Sequence, residues 1–109
     1  MQNANETDLD LGDDLVIKKK TRRESAGGTW VVGNLHGHKF NALVFPEHAE
    51  NRDWEIGDSQ ISKLWIQRMS DRTTVFNWDR GADVAATDTT VQAIVDFLGA
   101  GLAEYTFAE

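Results

Sequence analysis

Short runs of β-branched and aromatic residues, separated by turn residues, fill the middle of the chain and restrict the folds it can adopt. Such residues favour strands, and short polar connections join strands that are antiparallel neighbours. The runs span residues 29–35, 39–45, 60–69 and 73–78. They predict an antiparallel sheet of about four strands arranged as a meander.

One amphipathic helix is predicted after the sheet. Its apolar stripe repeats at helical spacing and consists of Val91, Ile94, Val95, Leu98 and Leu102. Thr89 and Gln92 have the spacing of a capping box, so the helix is expected to begin near Asp88 or Thr89. Gly99 and Gly101 each cost about 1 kcal/mol relative to alanine inside a helix, so we expect the helix to end there. The predicted fold class is α+β, with this C-terminal helix packed on one face of the sheet.

The predicted strands carry apolar side chains on both faces of the sheet. Alternation along residues 39–45 puts Phe40, Ala42 and Val44 on one face and Asn41, Leu43 and Phe45 on the other. The same alternation puts Ile61 and Trp65 together, and Leu64 and Ile66 on the opposite face. A single helix covers one face, so we expect residues 39–45 to form a central strand and the second face to leave an apolar patch. Exposed apolar patches of this kind mark protein interfaces.

Residues 1–27 are predicted to form a flexible charged arm, and residues 28–109 a single domain. The first 14 residues contain five acidic side chains and no basic one, a composition that cannot bury enough apolar surface to offset the entropy of ordering. A short apolar triplet, Leu15-Val16-Ile17, can pair weakly as an edge strand. The basic run that follows consists of Lys18, Lys19, Lys20, Arg22 and Arg23.

Composition excludes several classes of function. The chain has no cysteine, so it has no disulfide, no thiol nucleophile and no iron–sulfur cluster. The net charge of −7 opposes general affinity for nucleic acid. Neither a signal peptide nor an apolar run long enough to span a bilayer is present in the sequence, so a cytoplasmic protein without membrane contact is expected.

Three segments resemble a family of small uncharacterised bacterial and bacteriophage proteins. They are residues 39–45 (KFNALVF), 60–66 (QISKLWI) and 77–83 (NWDRGAD). Members of that family typically carry an ISKLWI strand and an N-Y-D-R-G-W-D corner, where this chain has Trp78 in place of tyrosine and Ala82 in place of tryptophan. The resemblance covers residues 28–100. It implies a phage or mobile-element setting and supplies no catalytic residue, because the family has no assigned activity.

Two small constellations could carry chemistry. Asp79, Arg80 and Asp83 could bind an anion, although carboxylates and an arginine at a turn more often pair with one another. His36 and His38, with His48 or Glu47, could offer ligands to a divalent metal, but histidines flanking a glycine are also ordinary at a hairpin tip. Neither has the spacing of a recognised catalytic or metal motif. No enzyme activity, metal, cofactor or small-molecule substrate is therefore predicted.

The expected function is a protein–protein interaction module that acts as a homodimer or on another protein. The predicted interaction surface consists of Trp54, Trp65, Ile61, Glu47, Glu50, Asp53 and Glu55. In a phage setting its target would be a host or defence protein. The alternative is a nucleic-acid-associated accessory protein that attaches through the basic run from Lys18 to Arg23, since each lysine or arginine can neutralise a phosphate.

Overall fold

The computed structural model describes residues 14–24, 27–51, 54–57, 59–79 and 82–107, apart from the side chains of Ala82 and Asp83. Within these ranges the elements are β1 (Val16–Arg22), β2 (Thr29–Leu35), β3 (His38–Val44), β4 (Ile61–Arg68), β5 (Thr73–Asp79), β6 (Ala82–Val84) and α1 (Thr89–Phe107). Each strand pairs antiparallel with the next, in the order β1-β2-β3-β4-β5-β6. The predicted α+β class, antiparallel sheet and C-terminal helix are confirmed.

The sheet is larger than the four strands expected. Five described strands have seven or eight residues, and β6 has three. The basic run, expected in a flexible arm, lies mostly in β1, whose register pairs Ile17 with Gly33 and Arg22 with Thr29. Pairing is possible because Ile17 packs against the core while the charged side chains of an edge strand stay in water. Residues 1–13 of the expected arm lie outside the described residues.

The core fills the space between the sheet and α1. Phe40, Ala42 and Val44 are buried on the face of β3 that contacts this core, as the alternation predicts. β3 lies between β2 and β4, so its predicted central position is confirmed. We call this side of the sheet the inner face and the opposite side the outer face. Leu43 lies on the outer face and is only 2% exposed.

A β-bulge in β4 changes which side chains share a face. Leu43 pairs with Lys63, whereas the next residue, Val44, pairs with Ile61, so Ser62 is an extra residue in the ladder. Ile61 therefore turns onto the inner face and is fully buried with Leu64. The prediction that Ile61 shares a face with Trp65 is wrong because strict alternation fails at a bulge.

Helix α1 begins where the sequence predicts but ends later. Asp88 caps it, since its Oδ1 accepts a hydrogen bond of 2.8 Å from the backbone N–H of Val91. The five residues of the predicted stripe are all buried. The expected end near Gly99 and Gly101 is wrong, because α1 continues to Phe107. Burial of apolar side chains beyond the glycines stabilises this last part of the helix, which outweighs the cost of glycine.

Candidate functional site

The outer face of the sheet is the side on which α1 does not pack. The helix α1 packs on the inner face, and no other helix lies among the described elements. Strand register places on the outer face Lys19, Thr21, Trp30, Val32, Asn34, Lys39, Asn41, Leu43, Lys63, Trp65, Gln67, Thr74, Asn77 and Asp79. Aromatic, aliphatic, amide and charged groups therefore share one broad surface.

Trp65 lies near the middle of the outer face. It pairs with Asn41 of β3 on one side and with Asn77 of β5 on the other. Its indole Nε1 donates a hydrogen bond of 3.2 Å to Oγ1 of Thr74, and the side chain is half-buried. The ring is thus held against the sheet by its polar edge, and the rest of the indole provides apolar contact area. Such an aromatic group is typical of the centre of an interface.

Trp30 and Val32 extend the apolar part of the outer face across β2. Trp30 pairs with Leu43 of β3, and both Trp30 and Val32 are half-buried. Neither was among the interaction residues predicted from the sequence. The signal for them is the alternation in β2, where Trp30 and Val32 flank the fully buried Val31 and must therefore point away from the core.

The charges of the outer face are mainly positive although the chain is acidic. Lys19, Lys39 and Lys63 come from three different strands, and the described residues of this face include one carboxylate, Asp79. Nζ of Lys63 lies 3.9 Å from Oδ2 of Asp79, and both side chains are partly exposed. An exposed pair at this distance is weak. The outer face therefore combines apolar groups with a local positive charge in a chain of net charge −7.

In the acidic loop between β3 and β4, only some of the carboxylates predicted for the interaction surface are exposed. Glu47 and Glu50 are exposed, and Trp54 is 45% exposed. Asp53 lies outside the described residues.

Glu55 differs from the expected surface position, because it is 5% exposed. Its two carboxylate oxygens accept hydrogen bonds of 2.8 Å from the Ala49 backbone N–H and from Nδ1 of His48. Since buried polar groups are stable only when they are paired, Glu55 holds the loop together.

A cleft of about 940 Å³ opens at one end of the sheet, between this loop, the end of β1 and the end of α1. Its walls include Arg22, Lys63, Glu47, Trp54 and Phe107. Charged side chains of both signs line it, so the cleft does not select an anion or a cation. It lies apart from Trp65, which is not among its lining residues.

The histidines do not converge on one point. Nδ1 of His36 lies 3.2 Å from Oδ2 of Asp14, and Nδ1 of His38 lies 2.7 Å from the carbonyl oxygen of His36. His48 instead contacts Glu55 in the acidic loop. In the described part of the chain, no group of three or more histidine, aspartate or glutamate side chains could hold a metal ion.

The remaining predicted site residues separate into different places. Asp79 lies on the outer face, whereas Arg80 and the side chain of Asp83 lie outside the described residues, so the predicted anion site stays a prediction. In the basic run, Lys20 places its Nζ 5.0 Å from the ring centroid of Tyr105 in α1. Arg23 donates a hydrogen bond of 2.7 Å from Nε to the carbonyl oxygen of Gly27. The run is therefore tied partly to the folded domain.

The described elements define a small α+β domain, in which one C-terminal helix packs on one side of a single antiparallel sheet. The chain belongs to the family described as a domain of unknown function (DUF7678), whose model matches residues 29–103. The expectation of a family without an assigned activity is thereby confirmed. No curated protein is significantly similar to the chain, and no solved structure is either.

Among the described residues, no helix combines the length and the apolarity that a bilayer span requires.

Proposed function

We propose that the chain is a non-enzymatic protein-interaction module whose binding surface is the outer face of the sheet. The observation that carries this proposal is the position of Trp65 and Trp30 on the sheet face against which no described helix packs. Indole side chains bury a large area on association and dominate the energy of many interfaces. The amide side chains around them, such as Asn41 and Asn77, can supply the polar rim that interfaces need.

The partner is expected to offer an acidic and apolar surface. Lys19, Lys39 and Lys63 would meet carboxylates of such a partner, and complementary charges accelerate encounter and suppress wrong partners. In a symmetric dimer formed face to face, the same lysines of both copies would be brought together. Because like charges in an interface are unfavourable, the outer face favours a different protein over a second copy of this chain.

A bacterial or bacteriophage source is part of the proposal, and the partner would then be a host or defence protein. The exposed carboxylates Glu47 and Glu50 place negative charge in the loop between β3 and β4. Such charges could contact a basic site of the partner beside the outer face. The chain itself is expected to act by occupying a surface of that partner.

The test starts with retention of partners from a lysate of the cells that contain the gene, followed by identification and purification of the retained protein. Trp65→Ser and Lys39→Glu then probe the outer face, and Met69→Ser is the matched control because Met69 is an exposed apolar side chain in the turn after β4. We expect each face variant to weaken binding of the purified partner at least about tenfold, as loss of an interface anchor does. Equal affinity of all four proteins would overturn the proposal.

A second candidate function, nucleic-acid binding, is favoured by one observation. Lys19, from the basic run, lies on the same face as Trp30 and Trp65, and aromatic rings beside lysines can stack bases and neutralise phosphates. Titration of the full chain with a labelled single-stranded oligonucleotide at low salt distinguishes the candidates. Binding that depends on Trp65 and falls steeply with salt would favour nucleic acid over a protein partner.

A further inference from the structure

Strand β1 forms an exposed edge of the sheet. It is the first strand in the order, and its only described neighbour is β2. Six of its seven residues are exposed, and Ile17 is half-buried. An edge strand has backbone N–H and C=O groups on its open side that can pair with another extended segment. The opposite edge, β6, has only three residues and offers a much shorter template.

The charge of β1 limits what can pair with it. Lys18, Lys19, Lys20 and Arg22 are four of its seven residues, and the strand has no acidic residue. Lysines on an edge strand prevent indiscriminate pairing. A neutral or basic strand that paired there would have to place its side chains beside these positive charges without compensating them. The same charges favour a strand that carries carboxylates, since opposite charges on neighbouring strands attract.

The bulge in β1 distributes this charge over both faces of the edge. Ile17 pairs with Gly33 and Lys19 pairs with Val32, so Lys18 is the extra residue. Register then places Lys19 on the outer face, and Lys20 and Arg22 on the inner face. An added strand would therefore meet positive charge on either side of its own pleat. Each acidic side chain of the added strand could therefore pair with a basic side chain of β1, whichever face of the sheet it lies on.

We propose that β1 is a docking edge that adds an extended acidic peptide segment of a partner protein to the sheet. Backbone hydrogen bonds to β1 would provide the affinity, and the basic side chains would select acidic sequences over others. This mode of recognition needs no contact with Trp65, which lies three strands away in β4. Binding at the edge and binding at the outer face can therefore fail independently.

The test uses the full chain and a fluorescein-labelled, end-blocked peptide of sequence Thr-Asp-Asp-Val-Asp-Asp-Thr, whose aspartates lie on both faces of the added strand. Two further peptides are matched to it, one with lysine in place of each aspartate and one with N-methyl groups on all five central residues, so that neither edge keeps its backbone donors. N-methylation keeps the charge but removes backbone donors, so it separates strand pairing from simple attraction between charges. Binding is measured by fluorescence anisotropy, and protection of the β1 amides is measured by hydrogen exchange.

We expect the acidic peptide to bind and to protect the β1 amides, and both matched peptides to bind at least about tenfold more weakly. Lys19→Glu in the protein is expected to weaken the acidic peptide about tenfold, because one attraction becomes a repulsion. Lys39→Glu is the control, because it makes the same change of charge in a different strand. Lys39 lies in β3, roughly 10 Å from β1, and this distance is close to the screening length of physiological salt. Lys39→Glu is expected to change the affinity less than about twofold.

Three results would overturn the proposal. The first is equal binding of the acidic and the N-methylated peptides, which would show attraction without strand pairing. The second is an equal effect of Lys19→Glu and Lys39→Glu, which would place the peptide elsewhere. The third is that the acidic peptide does not bind. This result counts against the proposal whether the lysines of β1 or the acidic residues that precede β1 in the chain keep the peptide from pairing. Trp65→Ser leaves peptide binding unchanged if the edge acts independently of the outer face.

Discussion

Replacement of Gly33 by alanine tests whether β1 belongs to the sheet. Gly33 lies in β2 between Ile17 of β1 and Phe40 of β3. An alanine Cβ at this position would overlap with the backbone oxygen of Val16 and would lie 3.0 Å from Cζ of Phe40. Real Cβ atoms essentially never show contacts under 3.0 Å, so the backbone of β1 must move away from β2.

The cost follows from these two contacts. The Phe40 ring can shift slightly, but the Val16 oxygen belongs to a strand held by its ladder, so overpacking is expected to cost about 1 to 3 kcal/mol. Alanine also reduces the conformational freedom of the unfolded chain, which offsets about 0.4 to 1 kcal/mol. The free energy of unfolding should therefore fall by about 1 kcal/mol, within a range of about 0 to 2.6 kcal/mol. The loss should be concentrated in β1, because the clash lies between β1 and β2.

Urea unfolding and amide hydrogen exchange measure these two effects. Gly33→Ala should lower the unfolding midpoint and remove protection from the amides of β1, while those of β3 and β4 stay protected. Gly101→Ala is the matched control, since no atom lies within 4 Å of its Cβ position, and it should stabilise α1 by about 1 kcal/mol. If Gly33→Ala were as stable as the parent and its β1 amides kept their protection, the close approach of the Val16 carbonyl to Gly33 would be refuted. Unprotected β1 amides in the parent protein would refute the pairing of β1 with β2 itself.

Three further predictions concern the helix and the β4–β5 turn. Leu98→Ala should lower the free energy of unfolding in urea by about 2 to 5 kcal/mol, because Leu98 is fully buried between α1 and the sheet. Asp88→Ala should cost about 1 kcal/mol in the same assay by removing the helix cap, whereas Asp88→Asn, which can still accept the hydrogen bond, should cost less. Hydrogen bonds from Arg68 and from the Thr73 backbone hold the pKa of Asp71 well below its usual range. The lowered folded-state pKa means that this carboxylate stabilises the fold fully above its unfolded pKa of about 3.9 and loses that effect as the pH falls toward the folded value. The urea midpoints of the parent and of Asp71→Asn should therefore approach each other progressively as the pH falls below about 4.

The elements that could be predicted from the sequence are those in which apolar residues repeat with a regular period. The stripe from Val91 to Leu102 marks the helix because burial on one side of a helix imposes its spacing directly on the sequence. The central strand at 39–45 was predictable for the same reason, since Phe40, Ala42 and Val44 alternate with residues of the other face. In both cases a local pattern determines which side chains the core receives.

The features that sequence could not predict depend on distant parts of the chain. The bulge at Ser62 has no local signature, yet it moves Ile61 from the outer face to the core. An edge strand at residues 15–17 was predicted, but its continuation to Arg22 was not, because lysine is rare in strands and pairs here only because β2 offers an edge. The carboxylate of Glu55 looked like a surface charge, because its partners in the loop become apparent only once the loop is folded.

The candidate surface was predicted in part. Alternation indicated a second apolar face around Trp65, and Trp65 does lie on the outer face. The lysines of that face come from separate strands, so their common position follows only from the register. Lys39 and Lys63 could be recognised once each was seen to alternate with buried residues of its strand.

Chemical labelling of lysines tests the role of the outer face most directly. Acetylation of the free chain and of its complex with the purified partner is compared by mass spectrometry, residue by residue. Lys39 and Lys63 lie on the outer face, whereas Lys20 lies on the inner side beside Tyr105. We predict that the partner lowers the reactivity of Lys39 and Lys63 severalfold and leaves Lys20 unchanged. Protection of Lys20 with full reactivity of Lys39 and Lys63 would contradict the assignment of the outer face as the binding surface.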